Sequence, residues 1–278
     1  MHIKADLHIH TRASDGDLSP EQILSLARFS GLETIAITDH DTLAGAREAM
    51  NSEHNGLRVI PGVELSIAYD PGTFHILGYF PSFPSEFDPL LERLQTARNV
   101  RLPKIIDKLN SLGINITASE VSEMAQEGQI GRPHIAKVLI RKGHVRDFED
   151  AFSRFLGKGK PAYVEKDRMT STEAIEAIVR FGGVTVLAHP FTLNLSKDGL
   201  REYIGGLARQ GLHGIEIFYP EHTRAQRKLY TEIAHEFGLI ATGGTDYHGS
   251  GHNGMTLGGS GLDRQGLAIF LGKLDKGC

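Results

Sequence analysis

The first apolar run of the chain ends Asp6-Leu7-His8-Ile9-His10 and continues Thr11-Arg12-Ala13-Ser14-Asp15-Gly16. Side chains two apart on a strand point to one face, so Asp6, His8 and His10 share a face while Leu7 and Ile9 take the other. Two imidazoles and a carboxylate on one face form a chelate for a divalent transition metal. The same kind of ending recurs. Ala36-Ile37-Thr38 runs into Asp39-His40-Asp41, and Gly62-Val63 into Glu64. Phe74-His75-Ile76-Leu77 carries an imidazole, and Leu187-Ala188 ends at His189-Pro190. Gly243-Gly244-Thr245 leads to Asp246-Tyr247-His248, where Asp246 and His248 again share a face. Taken singly, each pair is equally a set of hydrogen-bonded surface or core histidines. Taken together, nearly every strand-like run delivers His, Asp or Glu at its end, and none offers Cys. Imidazole with carboxylate suits Zn, Mn or Fe, whereas an all-oxygen set suits Mg or Ca. The donors outnumber those of a closed structural zinc site. They imply two or three ions about 3.5–4 Å apart, the layout that activates water and clamps a phosphate.

These residues need elements to hold them. Apolar, β-branched runs at residues 3–9, 34–38, 57–67, 73–80, 184–188, 214–219 and 239–243 predict strands. Amphipathic patterns between most of them predict helices near 20–28, 44–53, 171–181, 200–210, 224–237 and 264–273. Ser19 is a helix N-cap, with Pro20 at the first helical position, Gln22 at the capping-box position and Gly31 closing the helix. Strands alternating with helices argue for a parallel α/β barrel, whose sites gather at the carboxyl ends of its strands. The runs 57–67 and 73–80 are the exception, because the short link 68–72 suits a hairpin. Residues 88–164 break the rhythm, with helical patterns at 89–112, 118–126, 132–141 and 148–156. The expected organisation is an irregular barrel from residues 1–87 and 165–278, interrupted by a helical insert domain at 88–164. Gly157-Lys158-Gly159-Lys160-Pro161 would return the chain to the barrel.

Composition bounds the rest. The chain has 278 residues, 40% hydrophobic and 23% charged, with net charge −4, which excludes disorder, collagen-like repeats and a coiled coil. No apolar stretch approaches the roughly 20 residues that cross a bilayer, so no membrane partner is expected. The charge and the absence of Trp argue against gripping long nucleic acid. Cys278 is the sole cysteine, so no intrachain disulfide forms. With charge met at once after Met1 and no signal-peptide core, the expected address is cytoplasmic. The expected partner is a small phosphorylated substrate, with no obligate protein partner.

The ordered strings Asp-Leu-His-Ile-His…Ser-Asp-Gly, Ile-Thr-Asp-His-Asp, Gly-Val-Glu, His-Ile-Leu-Gly, Ala-His-Pro and Asp-Tyr-His, from Asp6 to His248, resemble the motifs of the PHP (polymerase and histidinol phosphatase) family. The resemblance implies an α/β fold, a distorted (β/α)7 TIM-like barrel, with two or three divalent metal ions (Mn, Zn or Fe). It implies phosphoester hydrolysis by a metal-activated hydroxide. It places one metal on His8, His10, Glu64 and Asp246, and a second on Asp15, His40 and His248. Glu64 would bridge toward a third position near His75 and His189. Many relatives have His where this chain has Asp15, which weakens nitrogen ligation at the second position. Asp39 and Asp41 would orient ligands or a water from behind.

The insert adds a finer resemblance. Gly131-Arg132-Pro133-His134-Ile135-Ala136 and the segment from Phe152 to Val164 look like a bacterial PHP subgroup of nucleotide phosphoesterases. Those enzymes remove the 3′-phosphate of 3′,5′-bisphosphonucleosides or trim short RNA from its 5′ end. By that likeness Arg132 offers a fork to phosphate, His134 is the general acid, and Lys158 and Lys160 steer the anion. The plain alternative for Arg132 and His134 is the first turn of an insert helix; for the lysines it is a solvated loop. One departure stands out: Phe191-Thr192-Leu193-Asn194 follows Ala188-His189-Pro190, where the nucleotide-specific relatives usually carry Gly-Arg-Tyr. The glycine-rich stretch 249–259 is read as a lid over the site. Two other readings share the metal set, a histidinol-phosphate phosphatase and a non-catalytic PHP module that regulates a polymerase.

Overall fold

The structure, a computed structural model, describes residues 2–70, 72–125, 130–165, 168–249 and 255–276. The alternating apolar runs become seven strands: β1 (Ala5–Ile9), β2 (Thr34–Ile37), β3 (Arg58–Ser66), β4 (His75–Tyr79), β5 (Val184–Leu187), β6 (Gly214–Phe218) and β7 (Ile240–Gly243). They pair in chain order within one sheet. β4 is antiparallel to both β3 and β5, and every other pairing is parallel. The hairpin expected at residues 57–80 is therefore present. The sheet nearly closes on itself. The amide of His10 donates to the Tyr247 carbonyl (2.9 Å), and at the other end Leu262 and Ala5 exchange hydrogen bonds of 2.9 and 3.1 Å. The result is a seven-stranded distorted TIM-like barrel in which one strand runs backwards.

Helices α1 (Pro20–Phe29) and α2 (Ala44–Asn51) follow the first two strands. α1 starts at the expected capping box, where Ser19 Oγ accepts from the Gln22 amide and Gln22 Oε1 from the Ser19 amide. Between β4 and β5 lie α3 (Asp88–Ser111), α4 (Ala118–Ala125), α5 (Arg132–Arg141), α6 (Phe148–Ala151) and α7 (Ser171–Arg180). The helix expected over 148–156 is α-helical only to Ala151 and widens into a π-turn over Phe152–Leu156. α8 (Lys197–Gln210), α9 (Arg224–Phe237) and α10 (Arg264–Leu274) complete the barrel. α8 begins earlier than its apolar periodicity predicts, because the Ser196 hydroxyl caps the Gly199 amide. Among the described residues no helix is long and apolar enough to cross a membrane.

Of the apolar clusters among the described residues, two bear on the helices between β4 and β5. One joins Val63, Leu65, Ile76 and Leu187 of the strands to Ile175 and Ile178 of α7. The other joins Ile105, Leu109, Val121, Ile135 and Leu139 within α3, α4 and α5. α3 serves both, placing Leu91 and Leu94 on the first and Ile105 and Leu109 in the second. α7 packs so closely on β4 that a Cβ on Gly78 would lie 2.9 Å from Ile178 Cδ1. Ile178 is fully buried at this contact. Ile178→Ala is expected to cost about 2–5 kcal/mol through lost transfer energy and the cavity left behind. A urea titration checks this, and a loss under about 0.5 kcal/mol would contradict so tight a seat.

Candidate metal centre

One end of the barrel collects the charged side chains. His8 and His10 leave the end of β1, His40 follows β2, Glu64 lies near the end of β3, and His189 follows β5. Asp246 and His248 come from the loop after β7. His75 is the first residue of β4, yet it reaches the same mouth because β4 runs backwards and sets His75 opposite Ser66. Asp15 arrives on the loop after β1. Three donor sets form: His8, His10, Glu64 and Asp246; His10, Asp15, His40 and His248; and His40, Glu64 and His75. Within each set the ligating atoms all lie within 4.8 Å of one another. Glu64 is central. Its Oε2 lies 3.2 Å from His10 Nε2 and 3.0 Å from His40 Nδ1. Its Oε1 lies 2.7 Å from His75 Nδ1 and 3.0 Å from His189 Nε2. Asp246 Oδ1 lies 3.2 Å from His8 Nε2 and 3.1 Å from His10 Nε2.

His8 Nε2, His10 Nε2, His40 Nδ1, Glu64 Oε2 and Asp246 Oδ1 are buried and make no hydrogen bond among the described residues. Buried polar atoms without partners are costly, and here they converge in one place. That is the arrangement a divalent cation satisfies, so these residues fit the metals their types imply. The electrostatics agree. Burial opposes the charges of Glu64, Asp246 and Asp15, but the imidazoles packed round them hold all three well below the usual carboxylate range. Burial also disfavours a charged His10, yet Asp246 and Glu64 overrule it and lift it to about 10. His75 is pushed down to about 4, burial outweighing the pull of Glu64. The pocket demands positive charge, which protons or metal ions supply in competition.

The residues behind the donors were only partly expected. Asp6 shares a face with His8 but does not join the donor sets. It accepts from the amide and hydroxyl of Thr245 (2.9 and 2.6 Å) and from the Gly258 amide (3.0 Å), tying β1 to the chain after β7. Burial pushes its carboxyl up to about 6, against those hydrogen bonds. Asp39, expected to orient a ligand or water from behind, accepts from Thr11 N (2.7 Å), Thr11 Oγ1 (2.8 Å) and Ser14 Oγ (2.6 Å). It shapes the loop that carries Asp15, and Ser14 Oγ in turn lies 3.3 Å from Asp15 Oδ1. Asp41 adopts φ 51° and accepts from the Ser66 amide at 3.0 Å, bracing the end of β3. Two groups escaped the sequence reading. Tyr219 donates to Asp246 Oδ2 (3.1 Å), and Glu216 contacts His8 Nδ1 (2.9 Å) and the His189 amide (2.8 Å). The signal for Glu216 was a carboxylate inside the otherwise apolar strand Gly-Ile-Glu-Ile-Phe.

A cavity runs from Asp15, His40 and His75 to the helices between β4 and β5. Arg101, Arg132, Arg168 and Lys158 line it, with Phe74, Ile105, Ile130 and Phe152 as apolar wall. Tyr163 is the hub of the cationic end. Its ring lies 5.1 Å from the Arg101 guanidinium and 5.7 Å from that of Arg132, and Arg168 donates to its hydroxyl (3.1 Å). Arg101 and Arg168 had no motif to mark them. His134 is not on the cavity wall. It is buried, and its Nδ1 accepts from the Gly131 amide (2.9 Å), so it caps α5, and the general-acid role expected of it finds no support. Lys160 is exposed and also outside the lining, whereas Lys158 pairs with Asp70 at 3.0 Å. Of the stretch read as a lid, residues 250–254 lie outside the described residues.

A nearly closed barrel with this donor cluster at its mouth is the architecture of a metal-dependent phosphoesterase. Residues 6–260 match the family described as PHP domain, and the chain belongs to that family. It is 34% identical over 247 residues to the 5′-3′ exoribonuclease of Haemophilus influenzae, covering 88% of this chain and 90% of that protein. It is 30% identical over 264 residues to the 3′,5′-nucleoside bisphosphate phosphatase of Chromobacterium violaceum, covering 91% of this chain and 90% of that one. A crystal structure from Bifidobacterium adolescentis, ascribed to the metal-dependent phosphoesterases, superposes with TM-score 0.86 at 30% identity over 97% of this chain and 96% of its own. The chain is thus a hydrolase of phosphoesters.

Proposed function

We propose that the substrate is a small molecule with two anionic groups, either a 3′,5′-bisphosphonucleoside or the 5′-phosphorylated end of a short RNA. The observation that carries this is the single cavity joining the donor cluster to Arg101, Arg132 and Arg168. One phosphate sits at the donor cluster and the second among the guanidinium groups, with sugar and base along Phe74, Ile105 and Phe152. The relatives named above are described as a 5′-3′ exoribonuclease and a 3′,5′-nucleoside bisphosphate phosphatase, which supports this reading, and neither description favours histidinol phosphate or a purely regulatory role.

His8, His10, Glu64 and Asp246 would hold one divalent ion, and Asp15, His40 and His248, with His10 beside them, a second. His40, Glu64 and His75, with His189 next to Glu64, would hold a third. Ions of this kind, Mn, Zn or Fe, acidify water and polarise phosphoryl oxygens when bound. Asp15 in place of an imidazole shifts its set toward oxygen ligation and so toward Mn. The chain itself supplies the substrate's orientation. Arg132 presents a planar fork to phosphoryl oxygens, Arg101 and Arg168 fix the distant anion, and residues of the insert at 88–164 wall one side of the cavity.

Phosphate release and product identity on Mn-loaded protein test this, with adenosine 3′,5′-bisphosphate, AMP, histidinol phosphate and a short 5′-phosphorylated RNA compared at equal concentration. Conversion of the bisphosphate or the RNA well ahead of AMP is expected. Preference for histidinol phosphate, or equal rates on AMP and the bisphosphate, would remove the two-anion reading.

A further inference from the structure

Glu216 is fully buried in the middle of β6, and no role assigned so far uses it. We infer that Glu216 is the positioning residue that presents His8 and His189 to the metal cluster together, an inference that rests on the metal-dependent reading above. Its Oε1 lies 2.9 Å from His8 Nδ1, and its Oε2 accepts from the His189 backbone amide at 2.8 Å. Each contact has a consequence.

At His8, a carboxylate oxygen accepts and does not donate, so Nδ1 carries the hydrogen and Nε2 is left with its lone pair. Nε2 is the atom that faces Asp246 and Glu64, at 3.2 and 3.5 Å. A histidine ligand fixed through its other nitrogen by a carboxylate is oriented and made more basic for the metal. At His189 the backbone is held at φ 24°, a region that non-glycine residues rarely adopt and that surrounding structure must impose. The hydrogen bond from its amide to Glu216 pins that turn. The turn brings His189 Nε2 to 3.0 Å from Glu64 Oε1. A single side chain on β6 therefore sets ligand groups that leave β1 and β5, at two separate places round Glu64.

The isosteric variant E216Q isolates this role. A glutamine has one acceptor where two donors must be met. If its oxygen takes the His189 amide, its NH2 faces His8 Nδ1 and forces the proton onto Nε2, the atom that must ligate. If its oxygen serves His8, its NH2 opposes the His189 amide. E216D keeps the charge but is one methylene shorter and cannot span both partners.

Zinc affinity of the metal-free protein, measured by competition with a chromophoric chelator, and the visible absorption of Co(II)-substituted protein are the readouts. Wild-type, E216Q and E216D are compared, with the Tm of each metal-free protein alongside. Both variants should bind the tightest Zn about 10–100-fold more weakly and alter the Co(II) bands, with metal-free Tm within a few degrees of wild type. Wild-type affinity and spectrum in E216Q would overturn the proposal. So would weak binding in E216Q beside normal binding in E216D, since charge and not placement would then matter. Should E216Q fail to fold, E216D decides alone: weak binding at a retained Tm supports the proposal, and wild-type binding overturns it. Absence of Zn and Co(II) binding in wild type would instead remove the metal-dependent reading itself.

Discussion

Asp246→Asn is expected to remove phosphoester hydrolysis while leaving the barrel intact. The substitution is close to isosteric, and Asn tolerates the left-handed backbone that Asp246 occupies at φ 51°. Its amide oxygen can still accept from Tyr219, which reaches Oδ2 at 3.1 Å. The change therefore falls on Oδ1, the buried oxygen without a hydrogen-bond partner that faces His8 and His10. An NH2 there cannot ligate a cation and carries no charge to balance one. Loss of an outer-sphere residue costs roughly 10–100-fold in metal affinity or activity. Loss of a group in direct contact should exceed that, so kcat/KM should fall by more than about 100-fold. Tm of the metal-free protein should move by only a few degrees. Metal content per chain, far-ultraviolet circular dichroism and turnover on one batch of protein decide it. Near-normal turnover at normal metal content would take Asp246 out of the centre.

The donor cluster was legible because it obeys a local rule. His8 and His10, and again Asp246 and His248, are two residues apart at a strand end, and the period-2 geometry of a strand turns that spacing into a shared direction. The barrel was legible for the same reason, with the link 68–72 too short for a crossover. What stayed hidden depends on contacts that no local period encodes. Glu216 meets His8 across 208 residues of chain, and Arg101, Arg132 and Arg168 reach one aromatic ring from three separate segments. His134 was misread for a physical reason. His134 stands three residues after the N-cap Gly131, the capping-box position, so its Nδ1 accepts from the Gly131 amide at the start of α5. A histidine expected to serve a phosphate thus caps a helix. Asp39 shows the milder form, with its carboxylate spent on Thr11 and Ser14, one step removed from the donors it was expected to orient.

The cationic end of the cavity gives the second large expected effect. Arg132→Ala should lower kcat/KM on a 3′,5′-bisphosphate by roughly 10–150-fold, the worth of about 1.5–3 kcal/mol for a hydrogen bond to a charged group. Folding should survive, although the variant gives up, among its contacts, the bond from Nη1 to the Leu156 carbonyl (2.9 Å) and the ring contacts with Phe152 and Tyr163. The division of the loss says which phosphate Arg132 holds. A rise in KM at unchanged kcat places it on the anion that does not react, because binding is then lost equally in ground and transition states. A fall in kcat places it on the reacting phosphoryl group, where charge develops. Arg132→Lys should recover only part of the activity, because an ammonium supplies charge without the planar fork. On adenosine 3′-monophosphate, which keeps the reacting phosphate and lacks the distant anion, the Arg132→Ala penalty should shrink if the distant phosphate is the partner and persist if the reacting one is. Unchanged kinetics on both substrates would mean that the arginine serves α5 and the π-turn alone, and the second anion would then have to rest on Arg101 and Arg168.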